Sequence, residues 1–347
     1  MVDSVKTWRL GSAPWAGIEK TVARARVIID NDFSGDPDDF YQLVHHLLSL
    51  TVEIPFIVAS HLRPGDPMDP SDHTATNAER LANEVCEVMG LEHEGLVVRG
   101  SEVPLSDRAT AAPSAAVERI IAEAMREDTD LPLYYAAGGG LTDLASAYLI
   151  EPRIAQRLTL VWIGGAEHPG TVSAPPQIED APEYNLRIDV AAAQVLFDAP
   201  DLAIWQFTRD IYRQCLISDA EMRLRVRSAG AVGRYLYDSI VDVRARMAEH
   251  GLLAGGSHAG GGLHSPAATY AIGDQPLVLA TALTSQFQPD TSSSFHEVRP
   301  CPSIAEDGSY IHRPDGRPIR VYRQVDTRLM FEDLYSKLSE FAAWQRS

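Results

Sequence analysis

From about residue 27 onward, short runs of β-branched and aromatic residues alternate with stretches of helical periodicity. That alternation limits the folds open to this chain more than any other feature. Val27-Ile28-Ile29 leads into an amphipathic stretch with Phe40, Leu43, Val44, Leu47 and Leu48 on one face. Val52 to Ala59 predicts a second strand, Thr76–Met89 a helix and Leu96–Val98 a third strand. Ser114–Arg126 predicts a helix opened by Ser114, Leu131 to Ala137 a strand, and Thr142–Leu149 a helix. Thr159–Ile163, Val190–Phe197 and Ala203–Phe207 continue the pattern, and Ile319–Tyr322 with a following helix ends it. Strands and helices that alternate in this way build a mostly parallel sheet with helices on both faces, the α/β class. The 347 residues would suit two average domains. No linker and no internal repeat divides them, so the expectation is one large α/β domain over residues 26–347 after an N-terminal extension, 1–25.

Charge removes several classes of partner. Thirty Lys+Arg against 48 Asp+Glu leave a net charge of −18, which repels nucleic-acid polymers and anionic lipid. No run of about 18 apolar residues suggests a spanning helix, and no apolar stretch near the start reads as a secretory signal. Cys86, Cys215 and Cys301 are odd in number, far apart and fit no CxxC pattern. They read as reduced thiols of a cytoplasmic protein.

The acids are not spread evenly. The segment IIDNDFSGDPDDF places Asp30, Asp32, Asp36, Asp38 and Asp39 within ten residues, where a strand ends and a helix begins. A helix N-terminus accommodates one or two such groups, not five. Like charges a few ångströms apart raise each other's pKa unless a cation compensates them. Oxygen ligands at this density suit calcium or magnesium. EF-hand spacing and a zinc-type His/Cys constellation are both missing.

Five motifs in order resemble one family, the inosine–uridine-preferring nucleoside hydrolases. They are the strand ending in D-x-D with D-D opening a helix, GLVVRGSEVPL (95–105), and AGGGLTDLASAYLIEPRIAQRLTLVWIGG (137–165). Glu183-Tyr184-Asn185 followed by Asp189 and Ala191-Ala192 is similar to the family's E-F-N segment, and His264-Ser265-Pro266 to its H-D-P. The resemblance implies a Rossmann-like core and hydrolysis of an N-riboside to ribose and free base, by a subunit that forms homo-oligomers. It also assigns roles. Asp32 ligates calcium and takes a proton from water, Asp39 and the Gly138 carbonyl are further ligands, and Asp30 supports the cluster. Asp38, Glu183 and Asn185 hold ribose hydroxyls, and His264 stands by the departing base.

The chain departs from that pattern in places. The loop between the D-x-D and the D-D is two residues longer, and Pro37 has no side-chain oxygen for metal, which favours the register that uses Asp38 and Asp39. Ser265 stands where the family has a carboxylate, and the expectation is that Asp36, in the longer loop, replaces the lost charge. Ser60-His61 replaces a ribose-contacting Gly-Asn, which makes His61 a further candidate for substrate contact. The Pro- and Asp-rich loop 62–75 and the Gly-rich stretch 251–263 interrupt the pattern, and 285–318 is expected to wrap the surface without periodic structure. His45 and His46 read as structural or surface residues, and Trp162 and Trp205 as core. Two other readings stay open. One is a degenerate relative that binds a ribose-containing ligand without turnover. The other is a haloacid-dehalogenase-like phosphatase, which the scarcity of lysines (Lys6, Lys20, Lys337) disfavours.

Overall fold

The computed structural model describes residues 5–171, 182–249, 268–285 and 293–347. Strand β1 (Ala25–Asn31) is buried along its whole length, as a central strand covered on both faces must be. It feeds α1 (Asp38–Leu47). The segment expected as one strand is two, β2 (Val52–Glu53) and β3 (Ile57–Ala59), both paired parallel to β1. Pro55 lies between them, and a residue without an N–H cannot continue the ladder. Then follow α2 (Thr74–Val88), β4 (Val97–Arg99), α3 (Ala115–Ala124), β5 (Leu133–Ala137) and α4 (Thr142–Ile150). The Ser114 side chain caps α3 by accepting from the Val117 N–H.

Next come β6 (Leu158–Ile163), α5 (Tyr184–Ile188), α6 (Val190–Asp198), β7 (Ala203–Phe207) and α7 (Arg209–Tyr212). The chain continues through β8 (Leu216–Ser218), α8 (Asp219–Glu221), α9 (Gly230–Glu249), β9 (Thr269–Ala271) and α10 (Gln275–Thr281). It ends with β10 (Phe295–Pro300), β11 (Ser303–Ile304), β12 (Tyr310–Ile311), β13 (Pro318–Gln324) and α11 (Thr327–Arg346). Residues 285–318 therefore do not merely wrap the surface. Within them β10 forms the antiparallel edge of the main sheet, and β11 pairs with β12. Alternating exposure is weak along β10, so no period marked it.

The main sheet runs β10-β13-β7-β6-β5-β1-β3-β4, with β2 also beside β1, and every pair except β10–β13 is parallel. The chain moves outward from β1 to β4 and then returns to place β5 on the other side of β1. Such a reversal of strand order opens a crevice at the C-terminal ends of the two strands. Side chains of β1 alternate between two cores. Val27 and Ile29 join the layer of α1, α2, α9, α10 and α11, while Ile28 joins that of α3, α4 and α6. Trp162 is fully buried and Trp205 partly so, as expected of core residues.

Trp8 and Trp15, ahead of β1, pack edge-on against Phe341. Both α1 histidines are buried and structural. His45 lies between Gln275 and Asp333, and His46 contacts Gln42 and Thr281. They join α1 to α10. No described helix is long and apolar enough to cross a membrane. Leu160, fully buried in β6, tests the shared core. Leu160→Ala should cost about 2–5 kcal/mol and lower the urea midpoint without changing the m-value, as read by equilibrium denaturation.

Candidate active site

The crevice between β1 and β5 opens into a cavity of about 330 Å³. Asp32, Asp36, Asp38 and Asp39 line it beside Gly138, Glu183, Asn185 and Asp274. A larger groove of about 750 Å³ between the N-terminal segment, α9 and α11 has no acidic residue on its wall. Chemistry therefore points to the smaller cavity. Oxygens of Asp38, Asp39 and Asp274 lie within 4.8 Å of one another. Asp38 and Asp39 begin α1, and Asp274 precedes α10. Asp38 Oδ2 accepts from the backbone N–H groups of Gly273 (2.8 Å) and Asp274 (3.2 Å) and ties the two helix starts together.

Nothing in the sequence marks Asp274 as part of the site. An aspartate beside a glycine, GDQP, is an ordinary helix start, and the acidic segment that it joins is over 200 residues earlier. Among the described residues, a carboxylate from this part of the chain, Asp274, joins Asp38 and Asp39. Asp36 lies on the cavity wall but outside the group of three. Its Oδ1 accepts from the Tyr270 hydroxyl (2.8 Å) and the Asp38 N–H (3.3 Å). His264 and Ser265 lie outside the described residues, as does the Gly-rich stretch 251–263.

The other expected residues divide in two. Glu183 is buried at the start of α5, where Oε2 accepts from the N–H groups of Gly165 (2.7 Å) and Leu186 (3.1 Å), and Oε1 from the Tyr212 hydroxyl (2.9 Å). Asn185 Nδ2 donates to the carbonyls of Gly138 (2.6 Å) and Ile163 (2.8 Å). Both amide hydrogens are thereby spent, and what Asn185 offers a ligand is its carbonyl oxygen. Gly138 is required sterically, since a Cβ there would overlap the Asp274 carboxylate.

Asp30 sits below the cavity and accepts from the Tyr135 hydroxyl (2.5 Å). His61 is not on the cavity wall. It is buried, with Nδ1 against the Leu62 carbonyl and Nε2 against the Thr142 hydroxyl, both at 2.8 Å. Both ring nitrogens are engaged, so its work is to hold the strand-end loop on α4. Loop 62–75 does reach the cavity, through Pro67 and Met68.

Electrostatically the site is incomplete without positive charge. Asp30 Oδ1, Asp32 Oδ2 and Asp39 Oδ2 are buried with no hydrogen-bond partner. Burial, then neighbouring carboxylates, holds Asp32, Asp38 and Asp39 well above the usual range. Burial pushes Asp274 up to about 7, and burial with the charge of Asp143 pushes Asp30 up to about 8. Unpartnered hard oxygens in this state are what a divalent cation satisfies, so the residues present fit one.

A model of the family described as inosine-uridine preferring nucleoside hydrolase matches residues 27–331. The chain belongs to that family. An inosine-uridine preferring nucleoside hydrolase of Leishmania major is 32% identical over 115 residues, which is 32% of this chain and 33% of that protein. The aligned stretch thus spans about a third of that relative's length. The crystal structure of the inosine-uridine preferring nucleoside hydrolase from Bacillus anthracis superposes with a TM-score of 0.62 at 16% identity, covering 91% of this chain and 99% of that one. A purine-preferring ribonucleoside hydrolase from Gardnerella vaginalis gives 0.64 at 16% identity with the same coverage. At that identity the two structures speak for the fold.

The raised carboxyl groups carry a pH signature. A carboxyl whose pKa is higher folded than unfolded stabilises the folded state when protonated. That contribution is complete below its unfolded value, about 3.9, and is lost as pH rises through the folded value. Cation-free protein should therefore lose thermal stability as pH rises from 3.8 through about 7 for Asp274 and about 8 for Asp30. Saturating calcium should flatten the profile. Melting curves with chelator and with calcium check this, and a flat chelated profile would contradict it.

Proposed function

We propose that this protein hydrolyses the N-glycosidic bond of a ribonucleoside or related N-riboside to ribose and free base, with calcium as its preferred cation and magnesium as the substitute. The observation that carries the proposal is the single cavity in which Asp32, Asp38, Asp39 and Asp274 meet Glu183 and Asn185. Asp32, Asp39, Asp274 and the Gly138 carbonyl are the groups to hold the cation. When bound, a divalent cation supplies a water of lowered pKa at neutral pH.

Asp32 is the general base in this reading and accepts a proton from water; its Oδ2, buried and without a donor, supports the role. Asp38, Glu183 and the Asn185 oxygen are acceptors for ribose hydroxyls, which donate. Cleavage of an N-riboside leaves positive charge on the sugar, and a wall of carboxylates stabilises that charge as it develops. Met68, Tyr184, Tyr212 and Met247 also line the cavity and offer apolar and aromatic surface to the base. His264 is retained as proton donor to the base. His264→Gln should then slow inosine hydrolysis far more than hydrolysis of a nitrophenyl riboside, whose leaving group needs no proton.

The three cysteines are buried and unpaired, which supports a reducing, cytoplasmic location. Homo-oligomer formation is part of the same reading and is measured by light scattering. Ribose release from a nucleoside panel tests the activity, and Asp32→Asn should lower kcat by about 10²–10⁴-fold. Nucleoside binding without ribose release by the wild-type protein would make it a ligand-binding relative instead.

A further inference from the structure

Asp39 and Asp274 belong to elements far apart in the chain, yet one side chain touches both carboxylates. Asn31, the last residue of β1, donates from Nδ2 to Asp39 Oδ1 and to Asp274 Oδ2, each at 2.8 Å. Both partners are carboxylate oxygens, so the amide nitrogen faces them, since an amide oxygen in its place would confront two anions. Asn31 is fully buried, and its own Oδ1 has no hydrogen-bond partner. The side chain thus leaves one polar atom unsatisfied while it keeps both hydrogens on the two aspartates. Its backbone is fixed as well. Asn31 pairs with Ala59 in β3, and its carbonyl accepts from the Ser60 N–H at 3.0 Å. A Cβ on Gly138 would lie 2.8 Å from Asn31 Nδ2, so β5 closes over the same point.

The geometry points to Asn31 as a positioning residue for the cation site, an inference that rests on the cation-dependent reading given above. The amide ties one oxygen of each carboxylate to the rigid end of β1. This sets the spacing between the starts of α1 and α10 and orients the opposite oxygens as ligand atoms. Asp39 Oδ2, buried and without a partner, is the atom so presented. Asn31 is not among the residues that line the cavity, so its effect falls on cation affinity. Groups that orient metal ligands typically change affinity by about 10–100-fold when removed.

Calorimetric titration of the full chain with calcium alone tests this. Asn31→Leu keeps the volume and removes the donor, and Asn31→Ser keeps a polar group that is too short to bridge the two carboxylates. Both should bind calcium about 10–100-fold more weakly than the wild-type protein, with KM for the nucleoside at saturating calcium within about twofold. Leu160→Ala is the control, a core variant that lowers the melting temperature and leaves calcium affinity alone. Calcium affinity within twofold of wild type in a folded Asn31 variant would overturn the clamp and leave the cation-dependent reading intact. No calcium binding by the wild-type protein would overturn both.

Discussion

Everything in this molecule is arranged around the burial of like charge at the end of β1. Two unit charges about 5 Å apart repel by roughly 3 kcal/mol at an effective dielectric near 20. A domain's whole stability is about 5–15 kcal/mol. Several ionised carboxylates in one desolvated cavity therefore cannot persist without compensation. The backbone amides of Gly273 and Asp274 and the Asn31 side chain supply part of it. What they leave is met by protons or by a cation, and the unpartnered oxygens of Asp32 and Asp39 show where the deficit lies.

The sheet explains why that deficit can be held in place. Parallel strands end together, and the reversal of strand order between β1 and β5 separates the connections on either side. Asp32 follows one of these strands and Gly138 the other, so their relative position is set by the β1–β5 ladder rather than by a loop. α1 and α10 bring their first residues to the same point and are held together by buried contacts of His45 and His46 with Gln275 and Thr281. In the polar layer beneath, Tyr135 on Asp30 joins β5 to β1, and His61 on Thr142 joins the loop after β3 to α4. Rigidity of this kind is what lets a cavity present oxygens at fixed spacing.

Legibility followed the range of the interactions concerned. The alternation of strand and helix, the acidic segment and the Glu183–Asn185 pair are local patterns and could be read directly. Asp274 could not, because a single aspartate before a helix carries no mark of the charges that it will face. The surroundings of Asp36 are hidden for the same reason, since only the fold shows that Tyr270 and the Asp38 N–H occupy one of its oxygens. His61 is a candidate for substrate contact because Ser60-His61 replaces a Gly-Asn, but the turn directs it inward to Thr142. β10 was missed because an edge strand with mixed burial has neither of the two periods that reveal structure in a sequence.

The sequence by itself determined the α/β class, the family, and the presence of a dense acidic site after the first strand. These depend on periodicity, composition and motif order, all of which survive without contacts. Only the tertiary structure decided which carboxylates converge, that Asn31 bridges two of them, and that His61 serves the scaffold. Those facts are pairings between residues distant in the chain. Ångström-scale distances, together with which lone pairs and protons remain unspent, settle such pairings, and a linear order of residues contains neither.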